Sequence, residues 1–78
     1  MSKFDKLLQR IIGMDNNLRF HEVQRVLESF GYIMNAPRSG SSHCTFRKAG
    51  CIPVTIPRHD PVKRIYVLMV KSVIEREE

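Results

Sequence analysis

Three histidines, His21, His43 and His59, and two cysteines, Cys44 and Cys51, are the side chains of this sequence whose chemistry near neutral pH could include proton transfer, nucleophilic attack or metal ligation. His43 stands out by its neighbours. It sits near the start of the run Ser42-His43-Cys44-Thr45-Phe46-Arg47-Lys48, which alternates in polarity. Successive strand residues point to opposite faces, so Cys44 and Phe46 share one face and His43, Thr45 and Arg47 the other. An imidazole there is open to solvent and flanked by Arg38, Arg47 and Lys48. The same alternation stops His43 and Cys44 from sharing a tetrahedral metal or forming a nucleophile–base dyad. The His and Cys spacing fits no zinc pattern. There is no P-loop, no GxGxxG and no carboxylate cluster for magnesium. No metal or cofactor is expected. The plainer readings are Cys44 as a small core residue, His21 as a surface residue, His59 as a loop residue or part of a basic rim, and His43 as an ordinary exposed strand residue.

A single imidazole among cations, without metal, suits one chemistry above others: cleavage of RNA. The 2′-hydroxyl is an internal nucleophile, so a protein need only move protons and neutralise phosphate charge. DNA lacks that hydroxyl. The charge distribution agrees. The net charge is +5, and residues 38–71 hold seven Lys and Arg against Asp60 alone, whereas residues 1–37 hold five against four carboxylates. A basic middle implies a polyanionic partner, with a merely solvated cationic surface as the alternative.

The elements that must carry these residues can be read from periodicity. Phe4, Leu7, Leu8, Ile11 and Ile12 make one helical stripe, opened by a Ser2/Asp5 capping box and stopped at Gly13. Phe20, Val23, Val26, Leu27 and Phe30 make a second, with Gly31 at the left-handed position after it. Tyr32–Ala36 reads as a strand closed by Pro37, and 38–41 as a turn. Ser42–Lys48 is the second strand, Ala49-Gly50 a hairpin turn, and Ile52–Ile56 a third strand that Pro53 and Pro57 confine to a sheet edge or leave ragged. Asp60 and Pro61 look like the N-cap and first residue of a last helix with a Val62, Ile65, Tyr66, Met69, Val70 and Val73 stripe. Glu75–Glu78 oppose the helix dipole, so fraying is expected there.

The expected fold class is therefore α+β: three antiparallel strands with helices on one face. Cys44, Phe46, Ile52, Val54 and Ile56 are the expected buried face; His43, Thr45, Arg47 and Thr55 the open one. At 78 residues and 42% apolar content the chain supports one small core. It is too short for a TIM barrel or a doubly wound nucleotide-binding fold. The N-terminus does not read as a signal peptide and no run is long enough to span a membrane, so the expected location is the cytoplasm. Two cysteines are too few for a disulfide scaffold.

The run Gly40-Ser41-Ser42-His43-Cys44-Thr45-Phe46-Arg47-Lys48, followed by Ile52-Pro53-Val54-Thr55-Ile56-Pro57-Arg58-His59 and a final helix, resembles the HicA toxins of toxin–antitoxin pairs. Their pattern is a Gly-Ser-His turn into a strand with Phe three residues on, then an apolar strand ending in Pro-x-His. Here Ser41 stands in place of the Gly, and Gly40 is shifted by one. Leu27-Glu28-Ser29-Phe30-Gly31-Tyr32 fits the family's entry to the first strand. The resemblance covers about residues 18–74. It implies a double-stranded-RNA-binding-domain-like α-β-β-β-α fold, to which the first helix is an addition: residues 1–17 as helix and linker, 18–78 as the toxin domain. It implies ribosome-independent cleavage of mRNA with growth arrest, the catalytic role falling on His43. It also implies a HicB-type antitoxin covering the active face, with a homo-oligomer or a higher complex left open. On that reading Arg38, Arg47, Lys48, Arg58 and Lys63 would hold phosphates, and His59 is the other titrating candidate for a second acid or base. The alternative is a non-catalytic RNA-binding module of the same fold.

Overall fold

The computed structural model describes residues 2–35 and 43–77; Arg38 and the turn expected at 38–41 lie outside the described residues. The element order is α1 (Lys3–Ile12), α2 (Phe20–Ser29), β1 (Ile33–Asn35), β2 (His43–Arg47), β3 (Val54–Pro57) and α3 (Arg64–Glu77). The strands form an antiparallel sheet in the order β1-β2-β3, so β2 is central and β3 is an edge. This is the α+β architecture with an added N-terminal helix that the periodicities anticipate.

Capping defines both early helices. Ser2 Oγ accepts the Asp5 N–H at 3.2 Å, and the Asp5 carboxylate accepts the Ser2 N–H, giving the capping box on α1. α1 ends at Gly13, but the left-handed residue is Met14 (φ +58°), whose N–H and that of Asp15 bond the Ile11 and Arg10 carbonyls. α2 ends in the same motif with glycine in the strained place. Gly31 (φ +95°) and Tyr32 donate to the Glu28 and Leu27 carbonyls, and Tyr32 then drops into the core.

One core joins all three helices to one face of the sheet. Leu7 and Ile11 of α1, Phe20, Val23, Val26 and Leu27 of α2, Cys44, Phe46, Val54 and Ile56 of the sheet, and Val67, Val70, Val73 and Ile74 of α3 are buried together. Phe20 and Phe46 meet with ring centroids 6.1 Å apart. Arg10 also ties α1 forward, bonding Asp15 at 2.8 Å and Glu22 of α2 at 2.7 Å.

Three expectations need correction. Ile52 is not on the buried face; it is 75% exposed. The Cys51 N–H is used in a turn bond to the Lys48 carbonyl, and Pro53 has no N–H, so pairing begins only at Val54. The last helix begins at Arg64, not at Pro61. The Asp60 carboxylate caps a different helix, accepting the Phe20 N–H at 2.7 Å, and Val62 donates to the Leu18 carbonyl at 2.7 Å. The inner face of α3 is also turned from the expected stripe. Ile65 (63% exposed) and Met69 point outward, while Val67 and Ile74 take the buried places. α3 is apolar nearly all round, so period alone does not choose its inner face. The helix continues to Glu77 although acidic residues crowd its end.

Candidate functional site

The β2–β3 ladder positions the site. In an antiparallel pair the first residue of one strand faces the last of the other, and here His43 faces Pro57. Beyond Pro57 the chain leaves the sheet through Arg58 and His59. His43, Pro57, Arg58, His59, Lys63 and Tyr66 line a cleft of about 340 Å³, Lys63 standing just before α3 and Tyr66 in its first turn. None of these six residues is acidic. The neighbouring carboxylate, Asp60, is engaged with the Phe20 backbone. The charged side chains among the described lining residues are therefore the cations Arg58 and Lys63.

Each wall is held. The His59 N–H donates to the Pro57 carbonyl at 2.9 Å, and its Nδ1 lies 3.2 Å from the Pro61 carbonyl oxygen. The Arg58 guanidinium lies over the Phe20 ring, 5.9 Å from its centroid. The Lys63 carbonyl accepts the Tyr66 and Val67 N–H groups, which fixes Lys63 against the first turn of α3. The loop is also anchored at Asp60 and Val62 to the 18–20 segment.

Of the residues singled out from the sequence, the structure brings His43, Arg58, His59 and Lys63 into one cleft. Arg47 and Lys48 are elsewhere. Arg47 is exposed on the same sheet face as His43, but four residues along β2, about 13 Å away at strand rise. The half-buried Lys48 carries its ammonium 5.8 Å from the Tyr32 ring centroid. Between His43 and Arg47 the open face is polar, with Thr45 and Thr55 hydroxyls 3.2 Å apart. Cys44 is 2% exposed on the opposite face, away from His43. Cys51 is half-buried beside Tyr32, whose hydroxyl makes no hydrogen bond; burial first, and then the Cys51 thiol, push that phenol above its ordinary value. His21 is exposed outside the cleft, at a smaller neighbouring hollow with Phe20, Gln24, Asp60 and Arg58, the last of which also lines the cleft.

Sequence reasoning missed Tyr66. It reads as part of an apolar stripe, yet it is half-buried and turns toward the cleft. The available signal was its spacing of three from Lys63 at the start of a helix.

A family model described as HicA toxin of bacterial toxin-antitoxin matches residues 20–76. The chain belongs to the HicA toxin family. Comparison with curated proteins and with solved structures finds no match. As a HicA-family member the protein is the toxin of a toxin–antitoxin system, and its counterpart is an antitoxin. The matched segment starts at the first residue of α2 and contains the whole cleft. α1 precedes it, and packs into the same core through Leu7 and Ile11. Among the described residues, no helix is long and apolar enough to cross a membrane.

Proposed function

We propose that this HicA-family toxin is an endoribonuclease that cuts mRNA without metal and without the ribosome, arresting growth in the cytoplasm. The observation that carries the reading is the convergence of two imidazoles and two cations, His43, His59, Arg58 and Lys63, on a cleft with no carboxylate among its described lining residues. Such a set can do what RNA cleavage needs. Cations hold the scissile phosphate and offset the charge gained in the transition state. An imidazole, ordinarily ionising near pH 6.5, moves protons at the 2′-hydroxyl and the leaving 5′-oxygen. His43 is the catalytic residue. Arg47 and Lys48 extend the phosphate-binding surface beyond the cleft, and Arg38 adds to it. Residues 18–78 act as the toxin domain, with 1–17 as an added helix and linker. A HicB-type antitoxin silences the toxin by covering the open sheet face and the cleft.

The test is purified protein with RNA in EDTA, without ribosomes. Cleavage supports the nuclease. RNA that is bound but intact after long incubation leaves the same fold as a binding module only.

A further inference from the structure

We infer that the two cleft histidines divide the work, with His59 as general base toward the 2′-hydroxyl and His43 as general acid toward the leaving 5′-oxygen; this rests on the nuclease reading above. The assignment comes from the hydrogen bond between His59 Nδ1 and the Pro61 carbonyl oxygen, 3.2 Å long. A carbonyl oxygen only accepts, so Nδ1 carries the hydrogen. In the neutral ring the lone pair is then on Nε2. The opposite tautomer would set two lone pairs against each other.

Tautomer matters for one role and not for the other. A base starts neutral, so its working nitrogen must be the one without hydrogen. An acid starts as imidazolium, with hydrogen on both nitrogens. A ring whose Nδ1–H is pinned to a backbone carbonyl is thus prepared as a base through Nε2. The pin sits on a fixed frame: the His59 N–H bonds the Pro57 carbonyl, Asp60 caps Phe20, and Val62 bonds Leu18. Of the side-chain types lining the cleft, only imidazole ordinarily gains and loses a proton between pH 5 and 8. The acid role therefore falls on His43, which lines the same cleft from the start of β2.

The step balances. The 2′-hydroxyl proton passes to His59 Nε2 as the O2′–P bond forms. The P–O5′ bond breaks and O5′ takes a proton from His43. The products are a 2′,3′-cyclic phosphate and a 5′-hydroxyl; proton exchange with water resets both rings.

The experiment uses a short single-stranded RNA that the wild type cuts, and the same RNA with sulfur in place of the scissile bridging 5′-oxygen. A thiolate leaves without a proton. We expect His43→Ala to lose about 10²-fold or more on the oxygen substrate but to come within about tenfold of wild type on the sulfur one. His59→Ala is expected to be slow on both. Both residues are exposed, and circular dichroism checks that each variant is folded. Sulfur rescue of His59→Ala in place of His43→Ala, rescue of neither, or full activity of His59→Ala overturns the division of roles while leaving a nuclease. A wild type that cuts no RNA overturns the nuclease reading, and this inference with it.

Discussion

His43 and Pro57 stand opposite each other at the end of the β2–β3 ladder, and this one register pair assembles the cleft. Because β3 ends there, the next two residues, Arg58 and His59, come to the same place as His43. Shifting the register by one residue would turn His43 to the helical side and empty the cleft.

Asp60 holds the loop that carries His59, through its bond to the Phe20 N–H. Asp60→Ala removes a helix cap and should cost about 1 kcal/mol, or roughly 4–8 °C in Tm for a domain of this size. Asp60→Asn keeps an acceptor and should retain most of that stability. Thermal denaturation followed by circular dichroism decides. A larger loss of RNA cleavage than of stability in Asp60→Ala is also expected, since the His59 frame loosens.

RNA affinity should separate the cations by position. Arg58→Ala and Lys63→Ala each remove a cleft cation, and should weaken single-strand binding and reduce the slope of log K against log salt by about 0.7. Arg47→Ala should weaken binding too, but leave the rate of cleavage at saturating RNA close to wild type, because Arg47 is at the far end of β2. Titration at several salt concentrations, beside single-turnover kinetics, measures both.

Much of this arrangement is legible in the sequence because it follows from short-range rules. The alternation of His43 to Arg47 fixes which side chains face out, and the capping box and Gly31 fix two helix ends. The errors come where a local signal is used by a distant partner. Asp60-Pro61 has the chemistry of a helix start, but its carboxylate serves Phe20, forty residues away. Ile52 has a strand-like neighbourhood, but Pro53 and the turn at Lys48–Cys51 take it out of the ladder. α3 offers apolar residues on several sides, and only packing against α1 and α2 selects Val67 and Ile74. The cleft itself unites β2, the 57–63 loop and α3, a convergence that no single segment announces.

The link from α1 to α2 should weaken in acid. Asp15 is held below its ordinary 3.8, first by the Arg10 side chain and then by the Asn17 N–H. A carboxyl with a depressed folded value contributes stability that is full above pH 3.8 and is lost as pH falls through the lower folded value. Asp15→Asn should therefore show a smaller loss of stability between pH 5 and pH 2.5 than wild type, with the effect modest because the pair is about one-third exposed, its side chains at 37% and 30%. Urea denaturation at the two pH values measures it.

Tyr32 buries a hydroxyl that has no hydrogen-bond partner. Tyr32→Phe should leave stability unchanged or raise it by up to about 1 kcal/mol. Since burial, and next Cys51, raise the phenol above 10, the folded protein keeps a proton that the unfolded chain releases. Wild-type stability is then full below pH 10 and falls as pH rises through the folded value, whereas Tyr32→Phe should lack that component of alkaline loss. Denaturation at pH 8 and pH 11 compares them.

The central claim, that the His43 imidazole cuts RNA, is tested most directly by comparing wild type with His43→Ala on the same RNA in EDTA, measuring bound and cleaved RNA together. The account predicts a folded variant by circular dichroism, RNA affinity within a few-fold, and cleavage reduced by about 10²-fold or more. A folded His43→Ala that binds and cuts RNA at the wild-type rate would contradict it.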